Sequence, residues 1–530
     1  MHTTRIGSGK KSLLLGGFMA TGKTSVGPIA AERLGFPFVD TDEIVAREAG
    51  ASIAELWRRE GEAGFRARER AVVERLLDDP VPRVVALGGG ALLSRELRHA
   101  ALDRAVVVTL VSSPEEILRR AGDVSSRPNL AGPDPLDRIR HLLELRSEVY
   151  AECHASLVTD GVDLDEVADA ACAVLRRDPL VLPLGARTYT IDVAHEAPEA
   201  LTDAIARCAP SSLLVVADAT VRRARGEALT RALSHLALPH VDVTLPGGEE
   251  HKTLATVSAI WDAALGAEVD RDVLVVAFGG GVVSDLAGFA ASTLLRGVRY
   301  VTAPTSLLAM VDASVGGKTG FDHPAGKNLI GTIHQPSSVV IDTAHLATLP
   351  ARELRCGLAE AIKVAVTLGA PLFEALEGLA PHLSTAGAGD ELLPIVREAV
   401  RLKARIVRDD ERDTGRRAIL NFGHTVGHAL EAHGSYRALA HGEAVALGML
   451  AELRIAVAAG WTPKGVLDRT LRLLQAVGLP TEVRPGELES ALRFVGSDKK
   501  RRGGRIALPI VTELGSADVR QVPPELLHAR

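Results

Sequence analysis

Between an apolar run, Leu13-Leu14-Leu15, and a segment with helical spacing, Val26 to Leu34, the chain reads Gly17-Phe-Met-Ala-Thr-Gly-Lys-Thr24. A G-x-x-x-x-G-K-T loop in that setting wraps phosphate groups with backbone N–H groups and the N-terminus of the following helix. It wants a strand before it and a helix after it, so the first part of the chain is read as an α/β fold that binds a nucleotide phosphate. Lys23 is placed to reach the β- and γ-phosphates, and the Thr24 hydroxyl to face Mg²⁺. A glycine-rich turn with no ligand is the competing reading.

A chain of 530 residues has room for about two to four domains. With 46% hydrophobic and 24% charged residues it can bury several cores. Its net charge of −6 leaves no footprint for nucleic acid or an anionic membrane. Cys153, Cys172, Cys208 and Cys356 form no C-x-x-C pair, which argues against a disulfide framework and a thiolate metal site. Leu13–Leu15 is too short for a secretory segment and no long apolar span follows, so a cytoplasmic protein is expected.

Strands are expected at Lys11–Gly16, Pro37–Val39, Val84–Leu87 and Val106–Val111, with helical Ala168–Arg177 closing a domain over 1–175. Asp178-Pro179 and Leu182-Pro183-Leu184-Gly185 break the pattern, which places a linker at 176–183. Over 184–350, Tyr189–Val193, Ser212–Ala217, His240–Leu245, Val273–Gly279 and Tyr300–Pro304 read as further strands between helices. Over 351–530 strands are expected to stop, and Glu353–Leu368, Leu392–Val407, His424–Ala432 and Glu443–Ala459 carry helical spacing.

Val39-Asp40-Thr41-Asp42 is expected to end the second strand, where carboxylates at i and i+2 point to one side of the ligand crevice. One can serve Mg²⁺ and the other a substrate hydroxyl; a helix cap is the plainer role. Arg66, with Glu69 one turn on, suits a carboxylate ligand, although a lone helical Arg is more often a surface charge. Gly88-Gly89-Gly90 lets backbone approach a ligand, and Ser126-Arg127-Pro128 lies in a candidate lid whose Arg can neutralise a phosphoryl group in transfer. Taken in order, with Arg146 before Tyr150, these residues resemble shikimate kinase. The resemblance implies ATP-dependent phosphorylation of shikimate on a parallel-sheet P-loop domain like the nucleoside monophosphate kinases. Gly17, Ala20, Thr21, Gly22, Lys23, Thr24, Ser25 and Arg127 would then bind ATP, with Thr24 and Asp40 serving magnesium. Asp42, Arg66, Gly88, Gly89, Gly90 and Arg146 would bind shikimate, and Asp42 and Arg127 would act in catalysis.

The second unit carries Glu360, then His424 and His428 at i and i+4, then His441. Carboxylate and imidazole without thiolate suit a catalytic zinc with an open position, and spacing alone does not choose between His424 and His428. Zinc over cobalt or iron is a slight preference. Lys318, Lys327, Lys363, Lys403 and Arg417 suggest an anionic, phosphorylated substrate. Phe278-Gly-Gly-Gly-Val-Val-Ser-Asp285 follows an apolar strand but is not G-x-G-x-x-G. Over 180–530 the series PGGEEHKT, GGGVVSDLAGF, PTSLLAMVDASVGGKTG, KNLIG, CGLAEAIK, NFGHTVGHALE, HGEAV and DKK looks like 3-dehydroquinate synthase. The resemblance implies an α/β NAD-binding half joined to an all-α metal-binding half.

By that resemblance Glu360, His424 and His441 hold the metal, zinc or cobalt, and His428 sits beside the substrate. Asp218, Glu249, Lys252, Gly280, Gly281, Asp285, Thr305, Ser306, Asp312, Lys318 and Lys327 would contact NAD. Arg296, Asn328, Lys363, Lys403, Arg417, Asn421, His428 and either Lys499 or Lys500 would line the heptulosonate phosphate, with Lys318, Lys363, Lys403, Arg417 and His428 catalytic. The implied reaction is a carbon–oxygen lyase step. NAD⁺ oxidises an alcohol, phosphate leaves by β-elimination, the hydride returns, and the ring opens and recloses as a carbocycle. The chain is thus read as a bifunctional enzyme of aromatic amino acid (chorismate) biosynthesis acting on two small molecules, with a homodimer expected through the synthase part. A polyol dehydrogenase in the second unit is opposed by the cation cluster, and a nucleotide sensor in the first by the joint presence of Asp40, Asp42, Arg66 and Arg127.

Overall fold

Aliphatic strands, buried at the centre of the sheet, alternate with helices that, apart from the first, carry side-chain N-caps to build the first unit. In the computed structural model, residues 10–122, 130, 134–383, 389–434, 438–484, 486–493, 501–502 and 505–528 are described. One compact unit ends at Thr190 and the next begins at Ile191. The first runs β1 (Leu13–Gly17), α1 (Lys23–Leu34), β2 (Phe38–Asp40), α2 (Thr41–Ala49), α3 (Ile53–Asp78), β3 (Val84–Ala86), α4 (Arg95–Arg104), β4 (Val106–Val111), α5 (Pro114–Ala121), α6 (Pro135–Ala151), β5 (Ala155–Val158), α7 (Leu164–Arg177) and β6 (Leu180–Leu182).

Its sheet has the order β2-β3-β1-β4-β5, parallel throughout. β1 is central and buried on both faces, which is why it reads as an unbroken aliphatic run. Leu13, Leu15, Val106 and Val108 pack on one face with Ala30 of α1 and Ala168 and Cys172 of α7. Leu14, Val85 and Val107 pack on the other with Leu97 and Ala101 of α4. The expected linker, 176–183, holds the end of α7 and β6.

One local expectation is corrected here. β2 stops at Asp40, whose carboxylate caps α2 by accepting the Asp42 N–H at 2.9 Å. Thr41 and Asp42 are therefore helical, because a carboxylate at an N-cap satisfies an orphan amide that an extended chain would leave open.

The second unit begins with β7 (Tyr189–Ala194), α8 (Glu199–Cys208), β8 (Leu213–Asp218), α9 (Ala219–Ser234), β9 (His240–Leu245), α10 (Leu254–Gly266), β10 (Leu274–Gly279), α11 (Gly281–Thr293), β11 (Arg299–Pro304), the hairpin β12 (Lys318–His323) and β13 (Gly326–Ile333), and β14 (Ser338–Asp342). Its strands run in the order β7-β14-β11-β10-β8-β9. Val216, Val275 and Ala277 pack against Leu286 and Ala290 of α11. Val215, Val276 and Phe278 pack against Leu201 of α8 and Leu229 of α9 on the other face.

Helices then dominate: α12 (Ala351–Leu368), α13 (Ala370–Leu383), α14 (Gly389–Asp409), α15 (His424–His433), α16 (His441–Ala458), α17 (Lys464–Ala476) and α18 (Glu487–Leu492). The expectation that strands stop near 350 is corrected by an antiparallel sheet of β15 (Arg501–Arg502), β16 (Arg505–Glu513) and β17 (Ser516–Val522). Leu508 and Ile510 of β16 bury themselves with Val426 and Leu430 of α15 and Leu447 of α16. Pro509 falls where, among the described residues, β16 has a partner on one side only, the setting that tolerates proline.

Candidate active sites

In the first unit, the loop after β1 leaves the sheet through Gly17 at φ 124° and enters α1 through Gly22 at φ 101°. A Cβ at Gly17 would lie 2.3 Å from the Leu110 carbonyl oxygen, so only glycine fits. No side chain caps α1 and its first turn carries no acid, which leaves a helix N-terminus open to an anion. Lys23 is buried in the loop, donating to the carbonyls of Gly17 at 3.0 Å and Phe18 at 2.7 Å. The Thr24 hydroxyl donates to Asp40 Oδ2 at 3.0 Å, a hydroxyl and carboxylate pair suited to a hydrated magnesium ion.

Around Gly88–Gly90, residues from three helices converge. A Cβ on Gly88 would come within 2.7 Å of Asp42 Oδ1, and one on Gly90 within 2.2 Å of the Arg66 guanidinium. Arg66 Nη1 donates to Glu69 Oε2 at 2.6 Å, and its guanidinium lies 5.8 Å from the Trp57 ring. Arg146 Nη1 and the Tyr150 hydroxyl both donate to the Gly89 carbonyl, at 3.4 and 2.8 Å. Asp42 Oδ1 is buried without a hydrogen-bond partner. Burial and then Asp40 raise the Asp42 pKa, against the pull of Lys23 and Arg66. A carboxyl so placed is primed to accept a proton. Arg127 lies outside the described residues.

In the second unit, Glu360 of α12, His424 of α15 and His441 of α16 meet, their ligand atoms within 4.8 Å of one another. Glu360 Oε1 lies 3.6 Å from His424 Nε2 and 3.5 Å from His441 Nε2. Glu360 is fully buried and its Oε1 accepts no hydrogen bond, while Oε2 forms an ion pair with Lys363. His424 turns Nδ1 to the Phe422 carbonyl, 3.1 Å away, and so presents Nε2 to Glu360. Two imidazole nitrogens facing an orphaned carboxylate oxygen fit a divalent cation with an open position. The helices approach this closely because their crossings are glycine. A Cβ on Gly442 would lie 2.3 Å from Cys356 Cα, and one on Gly448 would lie 1.9 Å from the Gly423 carbonyl oxygen.

The electrostatics follow from burial and pairing. Burial acts to raise the Glu360 pKa, but Lys363 and then His424 outweigh it and hold it at about 2. Burial and Lys363 push His424 well below the usual imidazole value. Burial acts the same way on His441, yet the carboxylates of Glu360 and Glu431 outweigh it and raise it to about 10.

Beside this cluster is a cavity of about 600 Å³ lined by Asp285, Asp312, Lys318, Asn328, Lys363, Lys403, Arg417, Asn421, His424, His428 and His441. Lys403 donates to the Asp312 carbonyl at 2.5 Å and pairs with its carboxylate. Burial lowers the Lys403 pKa to about 8; Asp312 opposes the fall and Arg417 adds to it. Asp312 sits in a short π-helical turn, Ala309–Ala313, and despite burial Lys403 and Lys363 hold its carboxyl well below the usual range. Lys318 pairs with Asp413. Arg417 donates to the Glu411 carbonyl at 2.6 Å and the Gly316 carbonyl at 3.2 Å. Arg296 is exposed and outside this lining, on a 3₁₀ turn, with φ 69°. Lys499 and Lys500 lie outside the described residues.

The expected dinucleotide contacts gather at the carboxyl ends of the strands. Gly280 and Gly281 open α11, which has neither a side-chain cap nor an acid in its first turn. Thr305 N–H bonds to the Gly279 carbonyl at 2.9 Å, and Ser306 Oγ would lie 3.4 Å from a Cβ on Gly280. Lys252 pairs with Asp285 at 2.5 Å and donates to Asn328 Oδ1 at 2.6 Å. Burial lowers its pKa, but Asp285 and Glu249 outweigh this and leave it raised. Lys327 lies 3.6 Å from Glu249 and 3.4 Å from Glu431. Asp218 caps α9, accepting from Thr220 and Val221 N–H groups at 2.7 and 3.0 Å.

Beside the metal cluster, the buried carboxylates of Glu431 and Glu452 are not singled out by the sequence. Glu431 faces His441 and Lys327, and Glu452 accepts the Gly423 N–H at 2.8 Å, fixing the entry to α15. The signal for Glu431 was its place three residues after His428, on the same helix face.

Residues 19–176 match the shikimate kinase family model. Residues 242–356 match 3-dehydroquinate synthase N-terminal, and 357–501 match 3-dehydroquinate synthase C-terminal. The 3-dehydroquinate synthase of Thermosynechococcus vestitus is 43% identical over 356 residues, covering 66% of this chain and 96% of that protein. Among solved structures, 2-epi-5-epi-valiolone synthase from Streptomyces hygroscopicus subsp. jinggangensis, with NAD⁺ and Zn²⁺ bound, superposes at a TM-score of 0.57. It has 32% identity and covers 64% of this chain and 94% of its own. A 2-deoxy-scyllo-inosose synthase shares the fold at a TM-score of 0.60 and 24% identity, over 66% of this chain and 98% of its own. The chain belongs to the 3-dehydroquinate synthase family, with a shikimate kinase domain ahead of the synthase.

Proposed function

We propose that the residues above divide the two reactions between two separate sites. The chain phosphorylates shikimate at the expense of ATP and converts 3-deoxy-D-arabino-heptulosonate 7-phosphate to 3-dehydroquinate and phosphate. In the first unit, the open N-terminus of α1 and Lys23 hold the nucleotide phosphates, and Thr24 and Asp40 hold magnesium. Arg66 and Arg146 fork onto the shikimate carboxylate, and Asp42 takes the proton of the attacking hydroxyl.

In the second unit, Glu360, His424 and His441 hold a zinc or cobalt ion, and the mouth of α11 holds NAD⁺. Bound there, the ion polarises an alcohol oxygen and the nicotinamide takes up and returns a hydride. Lys318, Lys363, Lys403 and Arg417 neutralise the phosphate that departs, and Asn328 and Asn421 fix the sugar hydroxyls. His428, exposed at the cavity wall, is placed to pass a proton to or from the substrate. We propose also that Arg296, exposed on its turn, contacts the heptulosonate phosphate, and that the synthase unit works in a cytoplasmic homodimer; light scattering on the purified chain measures its mass directly.

The observation that carries the synthase reading is the meeting of Glu360, His424 and His441 from three helices at the wall of a cationic cavity. On one preparation, Lys23→Ala should abolish ATP-dependent phosphorylation of shikimate and spare phosphate release from the heptulosonate. Stripping zinc with a chelator, then assaying with Mg²⁺ restored, should do the reverse. Loss of both activities under either treatment would refute the division.

A further inference from the structure

His441 lies between two buried carboxylates. Its Nε2 is 3.5 Å from Glu360 Oε1, and its Nδ1 is 3.4 Å from Glu431 Oε2. Glu431 is only 2% exposed. It comes from α15, which also carries His424 and His428, at spacings that put all three on one helix face. Its other oxygen faces Lys327 Nζ at 3.4 Å, and His428 Nε2 is 4.0 Å from Oε2. One buried carboxylate thus touches α16, its own helix and the β12–β13 hairpin. Burying a carboxylate is costly unless it is paired on each side, and this one is.

An imidazole that ligates through Nε2 must carry its proton on Nδ1, and the acceptor for that proton fixes the tautomer and the ring plane. For His424 the acceptor is the neutral Phe422 carbonyl. For His441 it is a charged carboxylate, which also makes the ring a stronger donor to a metal. We infer that Glu431 is a positioning residue for the metal centre: it accepts the Nδ1 proton of His441, aims Nε2 at Glu360 and His424, and through Lys327 ties the β12–β13 hairpin to that centre. This rests on Glu360, His424 and His441 being the ligands.

The rival role is direct ligation, because His428, Glu431 and His441 also offer atoms within 4.8 Å of one another. Both sets include His441, whose Nε2 faces Glu360 and whose Nδ1 faces Glu431, and His428 is exposed while His424 is buried, so the geometry favours the Glu360 set.

Competition with a chromophoric zinc chelator on the full chain tests this. The unaltered chain should bind one zinc. Glu431→Gln, equal in length but uncharged, should still bind one, about 10- to 100-fold more weakly. Its cobalt-loaded form should show a shifted visible spectrum while far-ultraviolet circular dichroism stays native. Glu431→Asp, with the charge on a shorter arm, should fall between the two and serves if the glutamine variant does not fold. Native zinc affinity together with a native cobalt spectrum in Glu431→Gln overturns the inference. So does a second zinc in the unaltered chain that this variant alone loses. Glu360→Ala separates the two levels: native zinc binding there refutes the ligand set itself, whereas loss of zinc there with a native Glu431→Gln refutes only the positioning role.

Discussion

Lys403 shows how one buried side chain sets a working range. Its ammonium is surrounded by the Asp312 carboxylate, the Arg417 guanidinium and Lys363, and burial is the strongest influence on it. With a value of about 8 it is charged below that pH and neutral above it. A cationic pocket for a phosphorylated sugar therefore loses one charge as the pH rises through 8, and never by acidification in this range. The Michaelis constant for the heptulosonate phosphate should climb above about pH 8, approaching tenfold per pH unit if binding follows that charge. Lys403→Met should bind weakly at every pH and lose that limb of the profile. A profile that keeps its alkaline limb in the variant would assign the limb to another group. At this scale the sequence was most readable where chemistry is local: Lys23, Thr24 and the glycines announced themselves by spacing. Glu431 did not, because two of its partners, His441 and Lys327, lie on other elements.

At the scale of elements, the metal centre depends on how closely α12, α15 and α16 approach. Gly448 lets α16 lie against the start of α15, where a methyl group would sit 1.9 Å from the Gly423 carbonyl oxygen. Gly448→Ala must push the two helices apart, and overpacking of this kind costs about 1–3 kcal/mol. The displacement moves His424 and His441 relative to each other, so zinc affinity should fall together with the melting temperature of the synthase unit. Native zinc affinity in a folded Gly448→Ala protein would show that the helices absorb the methyl elsewhere.

Strands β4 and β9 were bounded to the residue at Val106–Val111 and His240–Leu245, because each is an aliphatic or alternating run between clear breakers. The strands β5, β6 and β14, the hairpin β12–β13 and the sheet β15–β17 are not among those expected from the sequence. β12 and β13 are rich in glycine and charge, and β16 contains Pro509, so their identity comes from pairing partners rather than from their own composition.

For the whole molecule, each unit has its own interior. Leu13, Val106 and Ala168 close the core of the first, and Val216, Val275 and Leu286 that of the second. Units with separate cores and separate ligands need not unfold together. Differential scanning calorimetry should therefore resolve two transitions. ADP with Mg²⁺ at about 100 times its dissociation constant adds about 2.7 kcal/mol to whatever binds it. For a unit near the size of the first, that is a rise of about 5–10 °C in one transition only. NAD⁺ with zinc should raise the other and leave the first in place. Lys23→Ala should remove the response to ADP without touching the response to NAD⁺, because Lys23 lies in the loop of the first unit. A single transition that both ligands shift would mean that the two units fold as one cooperative body, and the two reactions would then share their stability as well as their chain.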